Sequence, residues 1–448
     1  MEKIYLEEIA KATGGRIVFG NPEVYAESVV IDSRKAKPNS LFIGISGENV
    51  DGNDYMLSAF EQGASIAMIE KNEDMLPANN KGLIEVDSTK EALVKLSKYY
   101  KERLKAKFVV VTGSTGKTTV KDMLHGMLSK KYKVFKTQGN YNNELGLPLM
   151  LLSMDSTYDI AVLEMGMSSL GEINFLSEIV RQNAALITNI GVSHIEMLKT
   201  RDNIFKAKME VTDFFKADDT LYVNSDDEYL KNVSSDKYRV VKSGIKSGDF
   251  KAENIELGQK YVEFDIVNSN INLGRIKINA PGMHNISNGI LAYSCAYDFG
   301  ITLDMIRELD FDRTAMRLQE YKFENVTVIN DAYNSSPDSM RAGLDILETY
   351  KGRKVALLGD MKELGDMTFV SHKECGVYAR KKADKLIAVG NENKSYMAGF
   401  GSEDFYGYRT FEEAAKVLPV LLKKGDVVYL KASRTMEFER FLEILERF

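Results

Sequence analysis

Short runs of apolar, largely β-branched residues alternate with amphipathic stretches along nearly the whole chain. Over residues 1–85 the apolar runs are SVVIDSR, SLFIGIS, SIAMIE and GLIEV, with helical spacing in DYMLSAFEQGA. In the polar stretch 88–107, Leu93, Leu96 and Tyr100 recur at helical spacing, which predicts a connecting helix. FVVVTG then reads as a strand that opens a second region. This region carries the strands DIAVLEMG and AALITNIG and predicted helices over 117–130 and 201–216. The third region runs strand, helix, strand through VTVINDA, KVALLGD, KLIAVG and VVYLKAS, with helices starting near Pro337, Thr368, Phe411 and Met436. Apolar strands alternating with amphipathic helices predict parallel sheets covered on both faces. The expected organisation is α/β in three domains: 1–85, a connecting helix over 86–107, a central domain over 108–312 and a Rossmann-like domain over 313–448.

Composition agrees with that division. A chain of 448 residues is too long for a single hydrophobic core. With 44% apolar and 28% charged residues it has the make-up of an ordinary globular protein. Its net charge of −6 gives no global attraction to nucleic acid or anionic membrane, so anionic ligands would need local clusters of Lys, Arg and backbone N–H. Cys295 and Cys375 stand far apart and read as buried thiols in a reducing compartment. The acidic, amphipathic start MEKIYLEEIAKATGG is unlike a secretory leader, and no apolar run nears the ~20 residues of a membrane span. A cytoplasmic protein is expected.

The most specific chemistry lies in TGSTGKTT, residues 112–119, between an apolar strand and a run of good helix formers. In that setting Gly113, Ser114, Thr115, Gly116 and Thr119 would wrap a phosphate with backbone N–H groups at the positive end of a helix. Lys117 would reach the β- and γ-phosphates, and the Thr118 hydroxyl would hold Mg²⁺. The long form of this motif has glycine where this chain has Val111. The alternative is a glycine-rich turn with an exposed lysine.

Three further polar residues fall at or beyond predicted strand ends, where open α/β sheets bind ligands. Glu164 interrupts IAVLEMG, a costly place for an unpaired charge. His194, one of four histidines, follows ALITNIG. Lys208 lies on the helix DNIFKAKMEVTDFF, two residues from Lys206 and from Glu210. Residues two apart on a helix diverge by about 200°, so Lys206 and Lys208 cannot both face one site. Taken singly, each has a plain alternative: an edge carboxylate, a structural imidazole, a surface ammonium.

Together, TGSTGKTT, the Glu of LEMG, NIGVSHIE, KAKMEV, GMHNISN, MRLQ and NDAYNSSP occur in the order found in the Mur ligases, which the chain resembles nearly end to end. That resemblance implies ATP as the nucleotide, Mg²⁺ bound by Thr118, Glu164 and His194, and a carbamylated Lys208. A carbamate beside Mg²⁺ supplies negative charge where an ammonium would be repelled. It also implies that Asn285, Asn288, Arg317 and Asp331 complete the nucleotide site. TQGNYNNELGLP, ALLGDMKELGD and NDAYNSSP resemble the family members that add D-alanyl-D-alanine to UDP-N-acetylmuramoyl-tripeptide. From the same resemblance Ser33 and Arg34 would contact the UDP portion, and Asn334 and Ser336 would line the dipeptide pocket. The chain departs from the family at Asn53, where His is usual, and at Ala432 in KASR. The implied chemistry is transfer of the ATP γ-phosphoryl group to a carboxylate, followed by attack of an amine. The alternatives are a ligase adding a single amino acid, a folylpolyglutamate synthase, and a nucleotide-dependent switch or binding protein.

Overall fold

The first apolar runs pair as a five-stranded sheet in the order Arg16–Phe19, Gly82–Glu85, Ile66–Ile69, Ser40–Ile43, Ser28–Val30. All its neighbours are parallel except the first pair. This is a computed structural model, and it describes residues 1–47, 50–70, 80–312 and 314–448. Glu48 and Asn49 of the GENVDG stretch, and Arg313 at the expected start of the third region, lie outside the described residues.

The connecting helix Thr89–Lys101 starts where Ser88 accepts from the Glu91 N–H. It does more than connect. Leu93, Leu96 and Tyr100 are fully buried in one cluster that also holds Ile4, Leu41, Val110 and Leu163, so the helix is wedged between the first two sheets. The Tyr100 hydroxyl donates to the Met154 carbonyl at 2.7 Å and accepts from the Glu2 N–H at 2.7 Å, which satisfies its one polar atom in the core.

The central region forms a ten-stranded sheet around Lys107–Thr112, flanked in parallel by Ile160–Glu164 and Ala184–Ile187. Thr220–Asn224 and Arg239–Gly244 continue the parallel part. Beyond them, Phe250–Leu257, Val262–Asn268 and Ile271–Ile278 pair antiparallel, an extension absent from the strands predicted above. Its strands bury alternate residues (Val262, Phe264, Ile266) while the residues between stay partly exposed, as expected for a sheet with one wet face. The turn between the last two passes through Ser269 and Asn270, both at positive φ, the conformation tight hairpins need.

The third sheet has six strands in the order Gln319–Lys322, Val326–Asn330, Asp426–Lys431, Lys354–Gly359, Lys385–Val389, Phe405–Tyr408, parallel except for the first pair. Helices begin at Pro337, Thr368 and Phe411 as predicted. The element near Met436 is instead two 3₁₀ turns and a short helix, Phe441–Arg447, with Glu437 at φ 48° breaking the run. The predicted helix over 201–216 stops at Met209 and tightens into a 3₁₀ turn, Glu210–Thr212. There the Glu210 carboxylate turns away to accept from the N–H groups of Gly171 and Asn174 at the start of helix Glu172–Val180. Among the described residues no helix is long and apolar enough to cross a membrane.

Candidate active site

The loop after Thr112 is shaped by two glycines. At Gly113, φ is 147° and a Cβ would stand 1.8 Å from Thr188 Oγ1; at Gly116, φ is 80° and a Cβ would meet Asn288 Oδ1 at 2.8 Å. Val111 is a fully buried strand residue in register with Glu164 and Leu186, so the turn begins at Gly113 and position 111 needs no glycine. The end of the neighbouring strand braces the loop: Asn189 accepts from the N–H groups of Ser114 and Thr115 at 3.0 and 2.9 Å, and Gly191 N–H donates to Ser114 Oγ at 2.9 Å. Helix Lys117–Leu128 then starts without a side-chain cap, leaving its first-turn N–H groups for a ligand. Lys117 Nζ lies back across the loop, donating to the Gly113 carbonyl at 2.8 Å. Burial lowers its pKa, partly opposed by the Glu164 charge.

This loop forms one wall of a cleft of about 570 Å³. Ser114 to Thr119, Glu164, His194, Asn285, Asn288, Arg317, Asp331, Asn334 and Ser336 all line it. Gly113 and Lys208 lie behind this lining, and Ser33 and Arg34 sit apart in the first sheet's unit.

Glu164, the last residue of its strand, is 4% exposed and fully engaged. Its Oε2 accepts from Thr118 Oγ1 at 2.9 Å and its Oε1 from Asn142 Nδ2 at 2.9 Å. Arg317 Nη2, from the third region, donates to the same Thr118 oxygen at 2.9 Å. The guanidinium lies 4.3 Å from the Tyr333 ring centroid, and its Nε is buried without a partner among the described residues. That orphaned donor, a hydroxyl and a carboxylate converge on one side of the cleft.

Lys208 is 2% exposed, whereas Lys206 is exposed. Among the described residues no hydrogen bond or ion pair reaches the Lys208 ammonium. Burial and the nearby Lys117 charge push its pKa well below the lysine range. His194 has a left-handed backbone (φ 63°) at the start of the turn Ile195–Leu198. Its Nδ1 lies 2.6 Å from Glu363 Oε2 of the GDMKELG stretch, off the line of a hydrogen bond. That contact chiefly, with the Lys117 charge adding less, holds the Glu363 carboxyl below its ordinary pKa against the effect of burial.

Asn285 and Asn288 lie on helix Met283–Asp298 behind the loop; Asn288 Nδ2 donates to Asn285 Oδ1 at 3.3 Å, and Asn285 Nδ2 to the Pro281 carbonyl at 2.6 Å. Asp331 is ion-paired with the buried Lys431, accepts from Tyr429 OH at 3.1 Å and accepts from the Leu318 N–H at 3.3 Å. Ser336 caps helix Pro337–Glu348 in a capping box with Ser339, while Asn334 stays exposed at the cleft. Ser33 is buried; Arg34 projects outward and pairs with Asp32 at 2.9 Å. Asn53 ties one loop to the end of strand Ile66–Ile69: it donates to Ser46 and Asp51 and accepts from the Glu70 N–H.

Sequence reasoning passed over Asn142, Tyr333, Glu363 and Lys431. Asn142 and Glu363 sit in stretches singled out for other reasons, and Lys431 opens the KASR segment. Only their partners across the fold reveal them.

Comparison with known proteins accords with this arrangement. Residues 26–101 match the Mur ligase family catalytic domain, 111–296 the Mur ligase middle domain, and 316–434 the Mur ligase glutamate ligase domain. The UDP-N-acetylmuramoyl-tripeptide–D-alanyl-D-alanine ligase of Bacillus subtilis is 35% identical, over 99% of each chain. A crystal structure of MurF from Acinetobacter baumannii superposes with a TM-score of 0.90 at 27% identity, covering 100% of both chains. MurF from Thermotoga maritima in complex with ADP superposes with a TM-score of 0.83 at 28% identity, covering 94% of this chain and 97% of that one. With three family domains in order and a full-length relative at this identity, the chain belongs to the Mur ligase family.

Proposed function

We propose that the chain joins D-alanyl-D-alanine to UDP-N-acetylmuramoyl-tripeptide, driven by ATP. The observation that carries this reading is the Arg317–Thr118–Glu164 relay, which ties the third domain to the phosphate loop beside a cleft able to hold nucleotide, acyl chain and amine together. The full-length relatives named for this reaction support the choice of substrates.

A carboxylate is a poor electrophile. Its oxygen attacks the γ-phosphorus, the bond to the β-phosphate oxygen breaks, and ADP leaves. The dipeptide amine, having lost a proton, then attacks the acyl carbon, and phosphate departs as the amide forms. Lys117 and Arg317 stabilise charge on the transferring phosphoryl group, and the loop N–H groups hold the rest of the chain of phosphates. Closing the cleft aligns the three reactants and excludes water.

Mg²⁺ suits the donors present. No group of three or more His, Cys, Asp or Glu side chains converges among the described residues, so the protein offers few ligands. Mg²⁺ is commonly held by one or two carboxylates together with waters and substrate phosphates. Thr118 and Glu164 would hold it, with His194 at the edge, and the ion would neutralise charge on the β- and γ-oxygens.

Lys208 is the residue we assign as carbamylated. Burial beside the Lys117 cation favours the neutral amine over the ammonium; addition to CO₂ with loss of a proton gives an anion that Lys117 attracts. Asn285 and Asn288 would back the nucleotide. Asp331 would meet the ribose only by sharing a carboxylate already held by Lys431. Asn334 would face the dipeptide, with Ser336 fixing the helix N-terminus beside it. Ser33 and Arg34 would contact the UDP end. The domain limits 1–85, 108–312 and 313–448 then separate the binding of UDP substrate, ATP and dipeptide. We place the reaction in the cytoplasm, in accord with two buried free thiols.

The test is a coupled ADP assay with product mass determination. ADP should form only when ATP, Mg²⁺, UDP-N-acetylmuramoyl-tripeptide and D-Ala-D-Ala are all present. ADP release independent of the last two would overturn the ligase reading in favour of a nucleotide switch.

A further inference from the structure

The segments 192–196 of the central domain and 361–365 of the third domain form a joint. Val192 and Ile195 pack against the third domain's cluster that contains Met361 and Leu364. Glu196 N–H donates to the Glu363 carbonyl at 3.1 Å. Gly365, at φ 51°, lies so close to Glu196 that a Cβ there would stand 3.2 Å from its Cα. At the centre, His194 and Glu363 face each other with a 2.6 Å approach of Nδ1 to Oε2, and both hold left-handed backbones at φ 63° and 64°. Two non-glycine residues in that conformation are uncommon and cost energy, so a surrounding structure must hold them there.

Behind this turn, Met361 N–H donates to His372 Nε2 at 2.9 Å, and His372 Nδ1 meets the Thr368 carbonyl at 2.6 Å. The Glu363 turn is thus fixed from its own domain before it reaches across. A carboxylate on one imidazole nitrogen sets the tautomer and ring plane, leaving the other nitrogen free to accept or ligate. The His194 ring lines the cleft, and Glu363 does not.

We propose that Glu363 is a positioning residue: when the third domain docks, its carboxylate orients the His194 ring, so the nucleotide site becomes complete only in the closed molecule. This rests on the ligase reading above and adds to it a route by which closure is sensed. No step requires Glu363 to touch substrate. Turning the ring into line would make the 2.6 Å approach an Nδ1–H···Oε2 bond.

The experiment is nitrogen NMR of the ¹⁵N-histidine-labelled protein held closed by saturating ADP, UDP-N-acetylmuramoyl-tripeptide and D-Ala-D-Ala. The chain has four histidines, and His194→Gln identifies the signal. Wild-type His194 should show the Nδ1–H tautomer, and Glu363→Ala should shift it toward Nε2–H, with Glu363→Gln in between. Gly365→Ala, which presses on Glu196 from the other side of the joint, should move the same signal if Glu363→Ala proves unstable. In the coupled ADP assay Glu363→Ala should raise the Mg²⁺ concentration for half-maximal rate by about 10- to 100-fold. Unchanged His194 signals in both Glu363→Ala and Gly365→Ala would overturn the proposal. Absence of substrate-dependent ADP formation by the wild type would instead overturn the ligase reading and leave the nitrogen signals to be judged alone.

Discussion

Arg317 Nη2 and Glu164 Oε2 both bond Thr118 Oγ1 at 2.9 Å, the first as donor and the second as acceptor, so one hydroxyl links two domains. Thr118 therefore has its proton directed at Glu164 and a lone pair at Arg317. A ligand phosphate entering here would compete for Arg317, whose buried Nε has no partner among the described residues.

The first prediction follows. Arg317→Lys keeps a positive charge but loses the planar fork that can hold Thr118 and a phosphate oxygen at once. It should lower kcat/KM by about 100- to 1,000-fold, the scale seen on removing one preorganised donor. Its melting temperature should stay near that of the wild type, since the fork lines a cleft and packs no core. Steady-state ADP release together with a thermal melt decides it; a wild-type rate would remove Arg317 from the phosphoryl site.

The two lysines of KAKMEV separate cleanly. Lys208→Ala should lose most activity, and Lys206→Ala, at an exposed position, should be nearly silent. Acetate or formate should partly restore the Lys208 variant by supplying the missing carboxylate. Wild-type enzyme freed of CO₂ should lose activity and regain it with bicarbonate. Equal losses from both variants, with no rescue, would refute the carbamate.

These residues show how far the chain could be read in advance. Lys117 and the loop were legible because strand, glycines and helix lie within a few residues of one another, and Glu164 because a charge interrupts an apolar strand. Helix geometry showed that Lys206 and Lys208 cannot both face one site, and the family resemblance singled out Lys208. The antiparallel extension over 250–278 was passed over because the reading followed continuous apolar runs, although the alternation in VEFDIVN marks a half-buried strand. Asn142 and Glu363 were invisible as site residues for a different reason. Their partners, Glu164 and His194, are 22 and 169 positions away, and no local spacing encodes such a contact. Ser336, expected at the dipeptide pocket, lines the cleft, but its hydroxyl is taken up in the capping box with Ser339.

Acceptor choice gives a third prediction. Asn334 and the start of helix Pro337–Glu348 border the cleft, and the positive end of that helix suits a terminal carboxylate. D-Ala-D-Ala should exceed D-Ala, L-Ala and glutamate in kcat/KM with UDP-N-acetylmuramoyl-tripeptide saturating. Asn334→Ala should raise KM for the dipeptide more than it lowers kcat, since loss of ground-state contact acts on binding. If glutamate or D-Ala were the best acceptor, the chain would be a single-residue ligase of the same family.

Stability should fall on mild acidification, with His372 as a principal cause. His372 is fully buried, accepts from the Met361 N–H through Nε2 and lies against the Thr368 carbonyl through Nδ1, so only the neutral Nδ1–H form satisfies both. Burial accordingly lowers its pKa. An unfolded chain has an ordinary histidine that takes up a proton near pH 6.5. Between that value and the lowered folded one, the unfolded state binds more protons, so stability is fully present above about pH 6.5 and is lost as pH falls. The slope for one such group is at most about 1.4 kcal/mol per pH unit. His125 and His284 are pushed down by burial too and add in the same direction. Carboxyls with lowered pKa, such as Glu363 and Asp265, act in a separate window below about pH 4.5, so they leave this one unobscured. His372→Gln can keep both bonds, with its amide nitrogen toward Thr368 and its oxygen toward Met361, yet cannot titrate. Melting temperatures between pH 7.5 and 5.5 should therefore drop less in His372→Gln than in wild type. Parallel curves for the two proteins would show that His372 is not the group that titrates.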